Sequence, residues 1–158
     1  MTAKFALHLA LSLLWMFLSG NFGFIPFVEG AAVGMGIMFL LDPVLGSKSY
    51  IKKLVKVIEL ILFFLWELVV SNIKVAAEVL TPRFISEPSI VAIPLSVKSD
   101  IEITLLANMI TLTPGTLSID VSPDRSVLYV HLMYGSEPDK AIQEIKNGFE
   151  RRIMEVFA

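Results

Sequence analysis

Few residues of this sequence could do chemistry by themselves. The chain has no cysteine, and its two histidines, His8 and His131, lie far apart. These counts exclude disulfides, thiolate catalysis and cysteine-based zinc sites, and they leave no clustered histidine metal site. The sequence also contains no glycine-rich phosphate loop and no nucleophile with a neighbouring base. We therefore expect no enzymatic activity and no cofactor, and we interpret both histidines as packed or surface residues.

The acidic residues also have structural explanations. Glu29 is the one acid within a long apolar stretch, where it could belong to a proton or cation path. Its place beside a predicted turn favours a hydrated carboxylate at the membrane interface. Asp120 and Asp124 flank another turn, and Asp100 and Glu102 belong to a helix cap. We interpret these four as solvated turn and cap residues.

The composition indicates a membrane protein. Of 158 residues, 55% are hydrophobic and only 18% are charged, whereas soluble domains carry about 25% charged residues. The net charge of −2 argues against a nucleic-acid binder, which needs a basic face. The apolar excess is concentrated in the first half, and charges return at ordinary density after residue 81.

The first half predicts two short membrane-spanning helices. Between residues 5 and 41 the only formal charge is Glu29, and glycines, an asparagine and a proline interrupt the run between residues 20 and 26. Because a span needs about 20 apolar residues, we expect helices at about 5–21 and 25–43, joined by a tight turn. One long span with an interfacial piece is an alternative, and a cleaved signal peptide is another.

Basic residues and glycines give this hairpin an orientation and a contact face. Lys4 precedes the first span, and four lysines between residues 48 and 56 follow the second. Because basic flanks stay in the cytoplasm, both ends of the hairpin are expected inside. Gly30 and Gly34 form a small-xxx-small face that lets another helix approach closely. We expect this face to contact other subunits; a role in packing or flexibility alone is the alternative.

A third apolar segment, residues 52–80, carries a stripe of charges. On a helix the charged side chains fall on one arc about 100° wide; they are Lys52, Lys56, Glu59, Glu67, Lys74 and Glu78. The rest of the circumference is Leu, Ile, Val and Phe, with Trp66 among them. Such a helix lies flat at the cytoplasmic interface, or it spans with its charges held against other subunits. The sequence leaves both alternatives open.

The second half predicts a small water-facing domain. Residues 89–97 resemble a strand in which Pro94 is confined to an edge or a late position. Ser99 and Glu102 have capping-box spacing and open a helix that Thr113-Pro114-Gly115 ends.

Two more strands and a helix complete this domain. Residues 116–121 alternate, with Leu117, Ile119 and Val121 on one face, and they should pair with 126–133 as a hairpin. A type I turn at 122–125 would join the two strands. The last helix opens at 136–139 and carries one apolar stripe.

The predicted fold class is a membrane α-helical N-terminal half of two to three helices, followed by a small α+β domain of order β-α-β-β-α. We divide the chain into a transmembrane hairpin at 1–47, a basic connector with a long amphipathic helix at 48–81, and a small soluble domain at 82–158.

One stretch of the second half is specific enough to indicate a family. Residues 108–120, Asn-Met-Ile-Thr-Leu-Thr-Pro-Gly-Thr-Leu-Ser-Ile-Asp, are followed by Val-Leu-Tyr-Val-His131. This pattern resembles the E subunits of the Mrp-type (Mnh-type) multisubunit cation/proton antiporters. The resemblance extends over the whole chain, through the short apolar half and the basic connector near 48–56.

The resemblance implies a small subunit of a large membrane complex, with partner subunits A, B, C, D, F and G. Such complexes exchange cytoplasmic sodium for external protons and so support sodium resistance and pH homeostasis. Their two large subunits are thought to carry the ion paths, so this chain would be an assembly or modulating partner in the cell membrane. Its basic flanks predict a cytoplasmic C-terminal domain if helix 52–80 lies flat, and an external one if that helix spans and the N-terminus is inside.

The resemblance also suggests which residues face other subunits. The candidate interface motif is Asn108, Thr111, Thr113, Pro114, Gly115, Thr116, Asp120 and His131. The candidate membrane-face residues are Glu29, Gly30, Gly34, Glu59, Glu67, Lys74 and Glu78. A membrane-anchored adaptor or scaffold outside any antiporter is the alternative function; a tethered enzyme and a self-sufficient transporter are further rivals.

Overall fold

The computed structural model describes residues 2–46, 48–81 and 86–158, apart from the side chains of 48 and 49. It forms two units, residues 1–55 and 56–158. Residues 1, 47 and 82–85, which include ends of the predicted segments 1–47 and 82–158, lie outside the described residues.

The first unit is built on an antiparallel helical hairpin of α1 (Thr2–Ser19) and α2 (Phe24–Leu40). Gly20 turns the chain with a φ of +65°, which glycine adopts at little steric cost. By length and composition α1 can cross a membrane, whereas α2 is a shorter apolar helix of 17 residues. A short helix, α3 (Asp42–Leu45), follows and ends at Gly46.

Small residues bring α1 and α2 into close contact. A Cβ atom added to Gly30 would lie 2.6 Å from the backbone oxygen of Ser12, and one on Gly34 would lie 3.1 Å from the His8 ring. The small-residue face therefore packs against α1 of the same chain, which differs from the expectation that it contacts other subunits. The reason is proximity, since only four residues join the two helices.

The second unit contains most of a long helix and a small α+β domain. The helix α4 (Lys48–Leu80) has 33 residues and is about 50 Å long. The elements after it are β1 (Ser89–Pro94), α5 (Asp100–Leu112), β2 (Thr116–Val121), β3 (Val127–Leu132), α6 (Pro138–Ile145), a π-helical turn (Lys146–Glu150) and α7 (Arg151–Phe157).

The three strands form an antiparallel sheet in the order β1-β3-β2. The hairpin of β2 and β3 is confirmed, as is the capping box of Ser99 and Glu102 at the start of α5. β1 ends at Pro94, three residues earlier than expected. Beyond it the Leu95 amide still donates to the Ser126 carbonyl at 2.8 Å, whereas the amides of Ser96 and Val97 donate to the Glu150 carboxylate and leave the sheet.

A β-bulge changes the faces of β2. The register shifts between Ser118 and Asp120, so Ile119 is the extra residue. Val121 therefore packs against the core, while Leu117 and Ile119 are half exposed on the outer face of the sheet. The expectation that these three share one face is wrong, because strict alternation does not survive an inserted residue.

The core lies between the inner face of the sheet and the helices. Its members include Ile93, Leu128 and Val130 of the sheet and Leu106, Ile110, Phe149 and Ile153 of the helices. α4 contributes the buried Leu60, with Phe63 and Phe64 packed against the same cluster. The domain therefore completes its core with a helix that precedes it in the sequence.

Candidate functional site

The Thr-Pro-Gly turn joins α5 to β2 through hydrogen bonds of its own threonines. The Thr113 hydroxyl donates to the Met109 carbonyl at 2.8 Å, and the Thr116 hydroxyl donates to the Thr113 carbonyl at 2.9 Å. Gly115 has a φ of +89°, a left-handed conformation that L side chains rarely adopt. The turn is therefore fixed from within, and these two hydroxyls are engaged with the backbone.

Thr111 protects an edge of the sheet. β2 is an edge strand, and the Ser118 amide on it donates to the Thr111 hydroxyl at 3.1 Å. The Ser118 hydroxyl in turn donates to the Ala107 carbonyl of α5 at 2.9 Å. Because unpaired edge amides attract other strands, the bond to Thr111 protects the edge at Ser118.

The remaining residues of the predicted motif lie elsewhere. His131 is half-buried in the middle of the outer face of the sheet, in register with Ile90 on one side and Leu117 on the other. Asp120 is exposed opposite Tyr129. Asn108 is exposed on α5. The motif thus combines a structural turn with residues on an exposed sheet face.

This outer face is open and carries a group of apolar side chains beside Asp120 and His131. Ile90 is 65% exposed, and Leu117 and Ile119 are about half exposed. Tyr129 and His131 complete the same face. Exposed apolar side chains grouped in this way are typical of a surface that another molecule covers.

The turn is also connected to α4 through Tyr134. A Cβ atom added to Gly115 would lie 3.5 Å from the Tyr134 ring. The Tyr134 hydroxyl donates to the buried Glu78 carboxylate, which also accepts the Ser86 amide at 2.9 Å. This bond to Glu78 raises the pKa of the Tyr134 hydroxyl above its usual value. Tyr134 was not among the predicted site residues, because its partner lies 56 residues away.

The charged stripe of α4 faces the domain of its own chain. The Lys56 ammonium lies 2.7 Å from the Glu59 carboxylate and 3.0 Å from that of Glu155, and this contact lowers the pKa of Glu155. Glu67 and Lys74 line a cavity between α4 and the domain. These partners differ from the expectation that the stripe faces other subunits.

The cavity has a volume of about 610 Å³. Its wall includes the Thr-Pro-Gly turn, and its charged lining residues are Glu67, Lys74, Glu144, Arg151 and Arg152. Opposite charges of similar number line it, so it has no strong preference for an anion or a cation. Within the described residues no group of three or more metal-ligating side chains is found.

The π-helical turn and the helix after it also contact α4. Gly148 lies against Phe63, and the Arg152 guanidinium sits 3.7 Å from the centre of the Phe63 ring. The Glu150 carboxylate is 2% exposed and accepts the Val97 amide at 3.2 Å and the Lys146 ammonium at 3.0 Å. Glu150 was not among the predicted site residues either. The signal that could have identified it in the sequence was an acidic residue among the apolar residues of the last helix.

In the hairpin the candidate residues have local partners. The Trp15 indole donates to the Glu29 carboxylate at 3.4 Å on an exposed surface. His8 is buried, with Nε2 2.8 Å from the Ala31 carbonyl and Nδ1 2.9 Å from the Tyr50 hydroxyl. Because a carbonyl oxygen can only accept, His8 donates to Ala31 through Nε2.

Comparison with known proteins identifies one family along nearly the whole chain. Residues 8–156 match a family model whose description is that of a Na+/H+ ion antiporter subunit. The chain is 37% identical to the E subunit of the Na+/H+ antiporter of Alkalihalophilus pseudofirmus over 156 residues, and 38% identical to that of Bacillus subtilis. Each alignment covers 99% of both chains.

Two solved structures share the fold. A chain of the Mrp complex from a Dietzia species has a TM-score of 0.50 and 26% identity, covering 65% of this chain and 96% of that one. A chain of an archaeal membrane-bound sulfane sulfur reductase has a TM-score of 0.59 and 23% identity, covering 99% of this chain and all of the other. By its sequence matches along nearly its full length, the chain belongs to the family of Na+/H+ antiporter E subunits, whose members are components of a multisubunit membrane complex for sodium transport.

Proposed function

We propose that this chain is an accessory component of a sodium/proton antiporter, needed for assembly or modulation of antiport and so for sodium resistance and pH homeostasis. The observation that carries the proposal is the family match over residues 8–156. The structure supports the accessory part, because its buried acids Glu78 and Glu150 accept hydrogen bonds that hold the fold together. The partners proposed are subunits A, B, C, D, F and G.

The chain crosses the membrane twice in this proposal. α1 and α2 form the two crossings, and the flanking lysines place both ends of the hairpin in the cytoplasm. The C-terminal domain is then cytoplasmic as well. A single cysteine introduced at Asp124 tests this placement without background from this chain. Labelling of that cysteine by a membrane-impermeant thiol reagent in intact cells would contradict it.

The outer face of the sheet is the proposed contact with a neighbouring subunit. Ile90, His131 and Leu117 form a row across all three strands, in which Ile90 and Leu117 are exposed and His131 is half-buried. Replacing Leu117 with Asp should weaken assembly, because a carboxylate would be buried against the partner. Replacing the exposed Lys140 with Asp, on α6, is the matched control.

Co-purification tests the proposed function. With an affinity tag on this chain and a mild detergent, the other antiporter subunits should be recovered together with it. Reconstituted by itself, the chain should move no protons in response to a sodium gradient. Recovery of the chain without antiporter subunits would support the alternative, an adaptor or scaffold outside any antiporter.

A further inference from the structure

α4 carries an apolar surface on the side away from the domain. Eight residues fall on one arc of the helix about 100° wide, and all are exposed in this chain. This apolar stripe consists of Ile58, Leu62, Leu65, Trp66, Val69, Ile73, Ala76 and Leu80. It contains no charge and no hydrogen-bonding group other than the Trp66 indole.

The opposite side of α4 is covered by the domain along its length. Lys56 reaches Glu155 at one end, Phe63 packs edge-on against Phe149 in the middle, and Glu78 accepts the Tyr134 hydroxyl at the other end. These contacts extend over about 33 Å of helix. The helix therefore separates a charged, water-facing domain from whatever covers the apolar stripe.

This arrangement excludes a helix that crosses the bilayer. A crossing α4 would draw the domain into the hydrocarbon, together with exposed side chains such as Glu144 and Arg151. Each charged group placed there costs several kcal/mol. Hydropathy does not decide the question, because residues 57–73 of α4 are themselves apolar enough for a span; the contacts with the domain decide it.

The composition of the stripe favours lipid over another protein. Helices that pack together in membranes use small residues at the contact, whereas the stripe has branched aliphatic residues, one alanine and no glycine. Tryptophan prefers the lipid–water boundary. The short connection after α2 also keeps the start of α4 close to the end of α2. Seven residues separate these two helices, and they reach at most about 25 Å.

We propose that α4 lies in the plane of the cytoplasmic membrane surface. Its apolar stripe is buried among the lipid headgroups and upper acyl chains, and the domain rests on its water-facing side. This inference rests on the proposed function, since the hairpin supplies the membrane attachment and its orientation. Of the two arrangements that the sequence allows for residues 52–80, lying flat or spanning, this proposal selects the first.

Depth measurements on the intact complex test this proposal. Single cysteines at Leu62 and Val69 of the stripe are labelled with an environment-sensitive fluorophore, after reactive thiols on the other subunits have been blocked or replaced. The complex is reconstituted into phosphatidylethanolamine/phosphatidylglycerol vesicles. Quenching is compared between lipids with a nitroxide near the headgroup and lipids with one near the chain end. Ala3 and Ala10 on α1, also seven residues apart and both exposed, are the matched pair, since the first lies near the end of that helix and the second near its middle.

The two pairs should behave differently. Labels at Leu62 and Val69 should both lose most fluorescence to the shallow nitroxide, whereas Ala3 and Ala10 should differ in depth by about 10 Å. A depth difference of that size between Leu62 and Val69, or stronger quenching of both labels by the nitroxide near the chain end, would overturn the in-plane helix. Quenching of these two labels by aqueous iodide would overturn it as well. So would the absence of quenching by both the nitroxides and iodide, which would indicate that a protein partner covers the labels. Equal depths for Ala3 and Ala10 would instead contradict the proposed hairpin topology.

Discussion

At the scale of single residues, the buried carboxylate of Glu150 connects two elements of the domain. It holds the end of β1 against the last helix through the Val97 amide and the Lys146 ammonium. Glu150→Gln keeps the shape but loses the charge, so the free energy of unfolding should fall by about 1–3 kcal/mol. Denaturant unfolding of the chain in detergent measures the change. Glu144→Gln, at an exposed position, is the control, and equal effects of the two would contradict this role.

A second residue-scale prediction concerns pH. The hydroxyls of Ser122 and Ser126 donate to Asp124 and lower the pKa of its carboxyl from 3.8 to about 2. A depressed pKa in the folded state contributes stability above about pH 4, and this contribution is lost as the pH falls toward the folded pKa. A carbon-detected NMR titration should show a midpoint near 2 for Asp124. In Ser122→Ala the midpoint should rise, and an unshifted midpoint in both proteins would contradict the bonded turn.

At the scale of elements, the hairpin depends on one close helix contact. A Cβ atom on Gly30 would meet the Ser12 carbonyl oxygen at 2.6 Å, while one on Gly36 would meet nothing within 4 Å. Gly30→Ala should therefore push α1 and α2 apart and cost about 1–3 kcal/mol. Gly36→Ala should be neutral or stabilising, since alanine favours helix. Thermal unfolding in detergent compares the two, and a tolerated Gly30→Ala would contradict the contact.

The elements also show how far the sequence determines the structure. The start of α5 was predictable, because a capping box is a local pattern of four residues. The bulge at Ile119 and the π-helical turn at 146–150 were not, because both depend on which neighbour the segment packs against. For α4 the charged arc was visible in the sequence, but its partners Glu155 and Tyr134 lie far along the chain.

At the scale of the whole molecule, α4 belongs to the fold of the domain. Leu60 is buried in the domain core, and Phe63 packs on Phe149. A fragment of residues 56–158 should therefore fold in detergent with a cooperative thermal transition. A fragment of residues 86–158 should show none, because its core would be open on the side of α4. Cooperative unfolding of the shorter fragment at the same temperature would contradict this dependence.

Antiport activity decides whether this chain is an accessory component of a sodium/proton antiporter. Everted membrane vesicles are prepared from cells that carry the complete set of antiporter subunits and from cells that lack only this chain. Sodium-dependent proton movement is measured in both, and the remaining subunits are quantified. We predict that removal of this chain reduces antiport or complex assembly and that restoring the chain recovers it. Unchanged antiport, with normal amounts of intact complex in the absence of the chain, would contradict the proposed function.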